Sequence, residues 1–354
     1  MIAVPSFAKI NLGLKIGPAR PDGFHELRTV YQTLALRDTV RVEVQPGSGI
    51  EIRCSNPRVP CDDSNTCHKI AERVLRALVS SNTELPQGLK PGSIDQFYGA
   101  PKGAPLQGRI VIEIEKRLPV QGGLGAASSN AVAAMLGLER ALGVQLGPAK
   151  KLRIAAEVGS DLPLFLIGGT VLGIGRGEEV HPLPDLPTLH LVVVTPQIGV
   201  STPKAFAWWD ELVARETQLT GADAAGTMNQ FSQSGFAWLS GGLYPQAGPA
   251  SGVPAGGGDR AETPLLDLVR AGIENDFEQV VFPEYPDLRE VKELLQRAGA
   301  QYASLSGSGS TLYGLFASAE EAQAAATRVS AAGYAAVATT TLTREEYWKA
   351  VASG

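Results

Sequence analysis

Residues 122–129 are Gly122-Gly123-Leu124-Gly125-Ala126-Ala127-Ser128-Ser129, and they lie between a predicted strand at 109–115 and a predicted helix at 130–142. Glycine and alanine let a backbone approach a ligand closely. A helix that begins near Ser128 would aim its free N–H groups and positive dipole end at that ligand. This arrangement suits a chain of phosphates, and the hydroxyls of Ser128 and Ser129 can bind phosphate or Mg²⁺. The structural alternative is a tight strand–helix turn whose serines are only caps.

Other nucleotide-binding and catalytic signatures are missing from the sequence. There is no G-x-x-x-x-G-K-[ST] phosphate loop and no G-x-G-x-x-G dinucleotide fingerprint. The H-R-D and D-F-G sequences of protein kinases, the H-E-x-x-H metal motif and the G-x-S-x-G nucleophile elbow are also missing. If residues 122–129 hold phosphates, they belong to none of these classes.

The rest of the chain divides into two halves of different pattern. The first half is predicted to contain strands at 1–16 and 29–44 and a helix at 65–79. The second half alternates helix and strand, which is typical of helices packed on an antiparallel sheet. Its predicted elements are strands at 189–194, 303–305, 311–316 and 334–342 and helices at 203–214, 286–298 and 319–331. The stretches 82–108 and 240–263 lack periodicity and are predicted surface loops.

Composition restricts the class of protein. The chain has 354 residues, of which 44% are hydrophobic and 19% charged, as expected for two globular domains. Its net charge is −5 and it has no basic cluster with aromatic residues, so we expect neither nucleic acid nor a membrane as partner. Cys54, Cys61 and Cys67 have no C-x-x-C spacing, and the N-terminus lacks a signal-peptide pattern. Both features indicate a cytoplasmic protein.

Three further features have the residue types of a phosphoryl-transfer site. Asp161 precedes an apolar run, where a carboxylate must be paired, cap a helix or act on a substrate hydroxyl as a base. Lys9 lies in an alternating strand, and it needs an anion such as Asp161 or a phosphate if it points inward. The run Ser306-Gly307-Ser308-Gly309-Ser310 is either a bulged hairpin or a second loop that lets a phosphate approach.

Taken in chain order, these stretches resemble the three motifs of the GHMP kinases, named for galactokinase and the homoserine, mevalonate and phosphomevalonate kinases. The motifs correspond to residues 8–12, 118–129 and 304–311. Four further matches are Arg20-Pro21-Asp22-Gly23-Phe24-His25-Glu26-Leu27, Gly159-Ser160-Asp161-Leu162-Pro163, Gly175-Arg176-Gly177-Glu178 and Asn275-Asp276-Phe277-Glu278. The resemblance covers nearly the whole chain except 82–108 and roughly 218–263.

The resemblance implies a two-domain α+β fold with the active site in the cleft between the domains. The N-terminal domain, residues 1–188, would bind ATP and have a mixed α/β fold like domain 2 of ribosomal protein S5. The C-terminal domain, residues 189–354, would be a ferredoxin-like α+β domain with an insertion around 218–263. The resemblance implies a monomer or a weak homodimer.

The resemblance also implies a role for each matching residue in ATP-dependent phosphorylation of a hydroxyl. Asp161 would be the base, and Lys9 would neutralise charge around Asp161 and the transferred phosphoryl group. ATP, with Mg²⁺ on Ser128, would lie against Asn65, Lys116, Pro119, Gly122, Gly123, Leu124, Gly125, Ala126, Ala127, Ser128 and Ser129. The acceptor would lie against Asn11, Phe24, His25, Thr202, Phe206, Gly307 and Ser308.

The matching stretches point to members whose acceptor is a small molecule with a cytidyl diphosphate group, used in isoprenoid precursor synthesis. Phe24 and His25 would lie at the cytosine, and Phe206 would stack on its other face. The alternatives are another acceptor of the family (homoserine, mevalonate or a sugar) and a non-catalytic sensor of the same fold. Ala126 and Ala127 stand where the family usually has glycine. Because alanine disfavours positive φ, loop conformation or ATP affinity is expected to differ.

Overall fold

A computed structural model describes residues 1–79, 108–120, 122–220 and 274–353, and two β-sheets organise them. Within these ranges the first sheet consists of β1 (Ile2–Ala19), β2 (His25–Gln45), β3 (Ser48–Cys54), β4 (Gly108–Glu115), β5 (Thr170–Ile174) and β6 (Glu179–Pro182). The long strand β2 pairs antiparallel with β1, β4 and β5, whereas β3 and β4 pair in parallel. The alternating Ile110, Ile112 and Ile114 place β4's apolar face in the core.

Two helices, α1 (Thr66–Val79) and α2 (Ala126–Leu142), pack against this sheet and each other, and α3 (Pro148–Val158) packs against α1. α1 buries Ile70, Val74 and Leu78, which the four-residue spacing places on one face. α2 is buried along most of its length, and Gly137 lets it lie close to β2, since a Cβ there would be 2.7 Å from Val42 Cγ2. The packing of α2 on the sheet therefore fixes where the glycine-rich loop ends.

The second sheet has the strand order β10-β7-β9-β8, with all neighbours antiparallel. Its strands are β7 (His190–Val194), β8 (Tyr302–Leu305), β9 (Leu312–Phe316) and β10 (Ala336–Thr340). The helices that accompany it are α4 (Thr202–Thr220), α5 (Glu278–Glu284), α6 (Pro286–Arg297) and α7 (Ala319–Ala331). Helices alternating with an antiparallel sheet confirm the predicted α+β class.

An apolar layer joins the two sheets. Ile10 of β1 and Leu34 of β2 belong to the same buried cluster as Leu191 of β7. The last helix, α8 (Arg344–Ser353), returns to the first sheet, where the Tyr347 hydroxyl donates to the Phe165 carbonyl at 2.6 Å. The predicted domain boundary at residue 189 stays a prediction, and the C-terminal helix packs in the N-terminal core.

Some elements differ from those that the sequence pattern predicts. The pattern does not predict β3, β5, β6, α5 or α8, which are short elements. Of these, β3, β5 and α8 contact strands far away in the chain, whereas β6 pairs with its neighbour β5. α2 begins at Ala126, two residues before the predicted start near Ser128, and β10 is shorter than the predicted strand. Residues 82–107 and 240–263, the predicted surface loops, lie outside the described residues.

Two expectations concern the chemistry and setting of the whole chain. Cys54, Cys61 and Cys67 all have free thiols, as predicted from their spacing. Among the helices in the described ranges, none combines the length and apolar character needed to cross a bilayer.

Candidate active site

The glycine-rich loop leads directly into α2. Gly125 is the N-cap of this helix with a φ of 67°, and Gly123 has a φ of 86°, so both positions favour glycine. Ala126 and Ala127 lie inside the helix, where alanine is the most favourable residue. Neither alanine therefore has the positive φ that it disfavours, and the expected difference in loop conformation or ATP affinity stays a prediction.

The first turn of α2 has the geometry of an anion site. The Ser129 N–H donates to the Gly125 carbonyl at 2.9 Å, so the N–H groups of the three preceding residues come before the helical ladder. Ala127 is exposed and Ser128 is half-buried. The helix dipole adds partial positive charge at this end. This end of α2 can therefore hold a phosphate.

The second glycine-rich loop packs directly against the first. The Thr311 N–H donates to the Gly122 carbonyl, and the Ser306 hydroxyl donates to the Gly123 carbonyl, each at 3.1 Å. A Cβ on Gly123 would overlap the Ser306 carbonyl oxygen, and a Cβ on Gly309 would lie 2.8 Å from the Gly122 carbonyl carbon. Contact between the two loops thus explains these glycines independently of any ligand.

A cavity of ≈ 330 Å³ opens at this helix end. The Thr66 hydroxyl donates to the Ala127 carbonyl at 2.9 Å, so the N-termini of α1 and α2 lie side by side. Asn65 caps α1, because its Oδ1 accepts from the Cys67 N–H at 2.8 Å. The predicted nucleotide-binding residues that line the cavity are Asn65, Lys116, Pro119, Gly122, Gly123, Leu124, Gly125, Ala126, Ala127 and Ser128.

Two of the predicted nucleotide-binding residues are engaged with protein partners. Lys116 Nζ donates to Asp38 Oδ2 at 2.6 Å, and their side chains are 5% and 0% exposed. The other Asp38 oxygen accepts from two backbone N–H groups. The buried Ser129 hydroxyl accepts from Ser6 at 2.9 Å and does not line the cavity. The charge of Lys116 is therefore balanced inside the protein, and Ser129 faces the core.

Lys9 and Asp161 are distant in sequence and form an ion pair, with Nζ 3.3 Å from Oδ2. Lys9 on β1 is 4% exposed, whereas Asp161, just before the 3₁₀ helix Pro163–Leu166, is 33% exposed. Lys9 Nζ also donates to Asn11 Oδ1 at 2.7 Å, and the Lys9 N–H donates to the Leu124 carbonyl at 3.0 Å. The pair is thus tied to the first glycine-rich loop, and only the carboxylate reaches solvent.

Tyr31 belongs to this cluster, although the sequence pattern does not single it out. Its hydroxyl donates to Asp161 Oδ1 at 3.2 Å, and Lys9 Nζ lies 5.4 Å from its ring centroid. Burial, reinforced by the Asp161 carboxylate, raises the pKa of Tyr31 well above its usual value, so the hydroxyl remains a donor. The one feature that could have indicated Tyr31 is its position opposite Asn11 on the neighbouring strand, and this requires the strand pairing to be known.

Asn11 connects the ion pair to the second glycine-rich loop. Its Nδ2 donates to Thr29 Oγ1 at 2.7 Å, and its N–H donates to the Ser306 hydroxyl at 3.3 Å. A Cβ on Gly307 would lie 3.2 Å from Asn11 Oδ1. Both ends of the Asn11 amide are therefore used within the protein, and its predicted contact with the acceptor stays a prediction.

The aromatic residues predicted at the nucleobase are not arranged as two rings with space for a base between them. The His25 and Phe206 rings stack on each other, with centroids 4.8 Å apart and planes 13° apart. A base inserted between two rings would separate them by roughly 7 Å, twice a stacking distance. His25 and Phe206 therefore do not enclose a base between them, and Phe24 is the remaining predicted aromatic residue that can cover one.

Phe24 lies on a loop fixed by charged neighbours, and its side chain is 51% exposed. The Arg176 guanidinium lies 4.9 Å from its ring centroid. The Phe24 N–H donates to the Asp22 carboxylate at 3.2 Å, which lowers the pKa of Asp22. The Arg20 N–H donates to the Phe24 carbonyl at 2.6 Å. An exposed ring on a fixed backbone is available for stacking.

α4 and the second glycine-rich loop meet at Thr202 and Ser308, whose hydroxyl oxygens are 2.7 Å apart. Asn275 holds the same loop, since its Nδ2 donates to the carbonyls of Leu305 and Gly307, each at 2.8 Å. The predicted acceptor residues on α4 are thereby brought next to those on the loop.

Comparison with known proteins assigns the chain to a family. Residues 94–169 match the model of the GHMP kinases N terminal domain, and residues 262–335 match that of GHMP kinases C terminal. A relative from Acaryochloris marina named 4-diphosphocytidyl-2-C-methyl-D-erythritol kinase is 34% identical over 92% of this chain and 90% of its own length. The chain belongs to the GHMP kinase family. Another relative of this GHMP kinase with the same name, from Solibacter usitatus, is 35% identical over 88% of this chain and 80% of its own length.

Solved structures share the GHMP kinase fold. A crystal structure of 4-(cytidine 5'-diphospho)-2C-methyl-D-erythritol kinase has a TM-score of 0.63 at 25% identity, covering 96% of this chain and 99% of that chain. A homoserine kinase from Cytophaga hutchinsonii has a TM-score of 0.62 at 18% identity, covering 96% and 95%. Because kinases named for different acceptors share the fold, the acceptor must be argued from side chains.

Two further residues of this GHMP kinase are not indicated by the sequence pattern. Asp210 lies four residues after Phe206 on α4, and its Oδ1 is 2.7 Å from His25 Nε2. The helical spacing is the signal that could have found it. Arg58 lines the cavity at the start of α2, and nothing in the sequence around it distinguishes it from a surface arginine.

A magnesium ion would find few protein ligands in this GHMP kinase. Within the part of the chain that the structure describes, no three His, Cys, Asp or Glu side chains come together as a metal site. Magnesium bound to nucleotides usually takes one or two protein oxygens together with phosphate and water oxygens. The Ser128 hydroxyl, which lines the cavity, fits that sparse set.

Proposed function

We propose that this GHMP kinase transfers the terminal phosphoryl group of ATP to the 2-hydroxyl of 4-diphosphocytidyl-2-C-methyl-D-erythritol, in the methylerythritol phosphate route to isoprenoid precursors. The observation that carries the proposal is sequence similarity over most of the length of both chains. Three relatives named 4-diphosphocytidyl-2-C-methyl-D-erythritol kinase are 30% to 35% identical to this chain over 80% to 95% of their own length. The cytoplasm is the proposed location.

ATP is proposed to bind in the cavity where the N-termini of α1 and α2 lie side by side. The N–H groups of Ala126, Ala127 and Ser128 would donate to phosphate oxygens, and the helix dipole would favour their charge. Asn65 and Lys116 would lie beside the adenosine, a neutral group that suits a lysine whose charge Asp38 already balances. Mg²⁺, with Ser128 as the proposed protein ligand, would offset charge on the phosphate oxygens.

Asp161 is proposed to accept the proton of the substrate hydroxyl. Lys9 and Tyr31 each hold one of its oxygens, which orients the carboxylate at the edge of the site. The Lys9 stem passes over Gly125, since a Cβ there would lie 3.0 Å from Lys9 Cγ. The ammonium therefore lies between the phosphate loop and the base, where it can neutralise charge on both.

The acceptor is proposed to lie along Asn11, Phe24, His25, Thr202, Phe206, Gly307 and Ser308. The paired hydroxyls of Thr202 and Ser308 can donate to diphosphate oxygens. Stacking of the cytosine on an aromatic ring such as Phe24 is worth about 1–3 kcal/mol. An acceptor site formed by these side chains would bind the cytidyl substrate in preference to smaller alcohols.

The test is ADP release by the purified full-length chain with Mg²⁺ and ATP, using the cytidyl substrate, homoserine and mevalonate as separate acceptors. We expect turnover that depends on the cytidyl substrate. Turnover with homoserine or mevalonate instead would keep the kinase and overturn the acceptor. A folded chain that binds ATP but turns over none of the three would overturn the proposed function.

A further inference from the structure

We infer that Asp210 is a positioning residue that fixes the tautomer of His25, so that the acceptor site selects cytosine over uracil. The inference rests on the proposed function. His25, the first residue of β2, contacts Asp210 in the third turn of α4. His25 Nε2 lies 2.7 Å from Asp210 Oδ1, with the histidine side chain 8% exposed and the aspartate 58% exposed.

The helix α4 holds the His25 ring in two ways. Phe206 and Asp210 are four residues apart and therefore lie on the same face of the helix. Phe206 stacks on the imidazole at 4.8 Å, and Asp210 binds one of its nitrogens. Stacking alone leaves a ring free to turn over in its plane, whereas the hydrogen bond selects one of the two orientations.

The identity of the partner sets the position of the hydrogen. An ionised carboxylate only accepts hydrogen bonds, so Nε2 must carry the hydrogen that it donates to Asp210. In the neutral imidazole the other nitrogen, Nδ1, then has a free lone pair. Within the described part of the chain, Nδ1 has no hydrogen-bond partner. The neutral imidazole of His25 thus has its hydrogen-bond acceptor at Nδ1.

An acceptor at this place discriminates between the two pyrimidines. Cytosine has an exocyclic amino group that donates, whereas the equivalent position of uracil is a carbonyl oxygen that only accepts. Nδ1 would bind the cytosine amino group and would face the uracil oxygen with two lone pairs opposed. A buried polar group left without its partner is costly, so this one atom can decide which base is used.

The kinetic test compares Asp210→Ala, Asp210→Asn and the control Glu211→Ala, on the cytidyl substrate and on its uridyl analogue. In the wild-type chain we expect kcat/KM to favour cytidyl by on the order of 10- to 100-fold, equivalent to the loss of one buried hydrogen bond. Asp210→Ala should raise KM for the cytidyl substrate more than it lowers kcat and should reduce the preference to a few-fold. Asp210→Asn should retain most of the preference, because its amide oxygen can still accept from Nε2. Glu211, which pairs with Arg215 on the same helix, should have no effect on the preference.

The spectroscopic test reads the tautomer directly from ¹⁵N chemical shifts of a histidine-labelled chain, which has only four histidines. The His25 signals, assigned with His25→Gln, should show hydrogen on Nε2 in the wild type and a mixed population in Asp210→Ala. Hydrogen on Nδ1 in the wild type would overturn the inference. So would unchanged base preference in an active Asp210→Ala enzyme. A wild type without turnover on the cytidyl substrate would instead remove the proposed function on which the inference rests.

Discussion

The proposed nucleotide end and the proposed nucleobase end of this site are held together by different kinds of contact. At the nucleotide end, the start of α2 and the two glycine-rich loops present backbone N–H groups, and their closest contacts are between backbones. At the nucleobase end, His25, Phe206 and Asp210 are fixed by ring stacking and a side-chain hydrogen bond. The proposed reaction centre, Asp161 with Lys9 and Tyr31, is a third cluster, made of side chains.

The difference explains why one fold serves several acceptors. A backbone-defined phosphate site depends on glycine and on where a helix begins, so many sequences can maintain it. A side-chain-defined site changes with single substitutions. The homoserine kinase structure matches this chain at a TM-score of 0.62 with only 18% identity, which shows a common fold at low sequence similarity. Substitutions at each region should therefore affect different kinetic constants.

The largest effect is expected at the reaction centre, from Asp161→Asn. We expect kcat to fall by about 10²–10⁴-fold with small changes in both KM values, because the amide cannot accept the proton of the hydroxyl. Steady-state kinetics with both substrates varied would measure this. The matched control is Glu157→Gln, an exposed residue of α3 that pairs with Arg73. A kcat within a few-fold of the wild type would exclude Asp161 as the base.

The next effect is expected at the nucleobase end, from Phe206→Ala. It removes the ring that stacks on His25, and we expect KM for the cytidyl substrate to rise by roughly 5- to 150-fold. This rise is the equivalent of about 1–3 kcal/mol for the loss of one aromatic pair and of one hydrogen bond from His25 to the base. KM for ATP should change by less than a factor of two or so. Equal changes in the two KM values would mean that the two ends are not separate.

A smaller effect is expected at the nucleotide end, from Gly123→Ala, and here KM for ATP should change more than KM for the cytidyl substrate. The new Cβ would overlap the Ser306 carbonyl, and the alanine backbone would have to adopt a φ of 86°. We therefore expect the free energy of unfolding to fall by about 1–3 kcal/mol. KM for ATP should rise about tenfold, since the displaced loop weakens charge-assisted bonds. Denaturant unfolding and kinetics would measure both. Gly143→Ala, also at positive φ but with no atom within 4 Å of a new Cβ, is the control for backbone strain alone.

The smallest effect lies outside both ends and concerns stability at high pH. Burial raises the pKa of Tyr302 to about 12, whereas an exposed tyrosine has a pKa of about 10. The unfolded chain therefore releases this proton first, and stability falls as pH rises from about 10 to about 12. Denaturant unfolding at several pH values should give a shallower fall for Tyr302→Phe than for the wild type. Parallel curves would show that Tyr302 does not contribute.

The sequence predicts the backbone-defined end better than the side-chain-defined end. The strand, loop and helix at 109–142 are predicted from local features of the sequence. These are the alternation of apolar residues in the strand, the glycines of the loop and the helical spacing of apolar residues. The start of α2 at Ala126 is missed by two residues, because the left-handed Gly125 rather than a serine caps it. The contacts of Tyr31 with Asp161 and of Asp210 with His25 need the strand register and the docking of α4, which no local pattern contains.

The most direct test of the account is the ³¹P NMR spectrum of a completed reaction of the full-length chain with ATP, Mg²⁺ and 4-diphosphocytidyl-2-C-methyl-D-erythritol. We predict one new phosphomonoester signal, from a phosphate on the 2-position of the methylerythritol, in a 1:1 ratio to ADP and with the cytidyl diphosphate signals retained. ADP without that signal, or a phosphate attached at another hydroxyl, would contradict it.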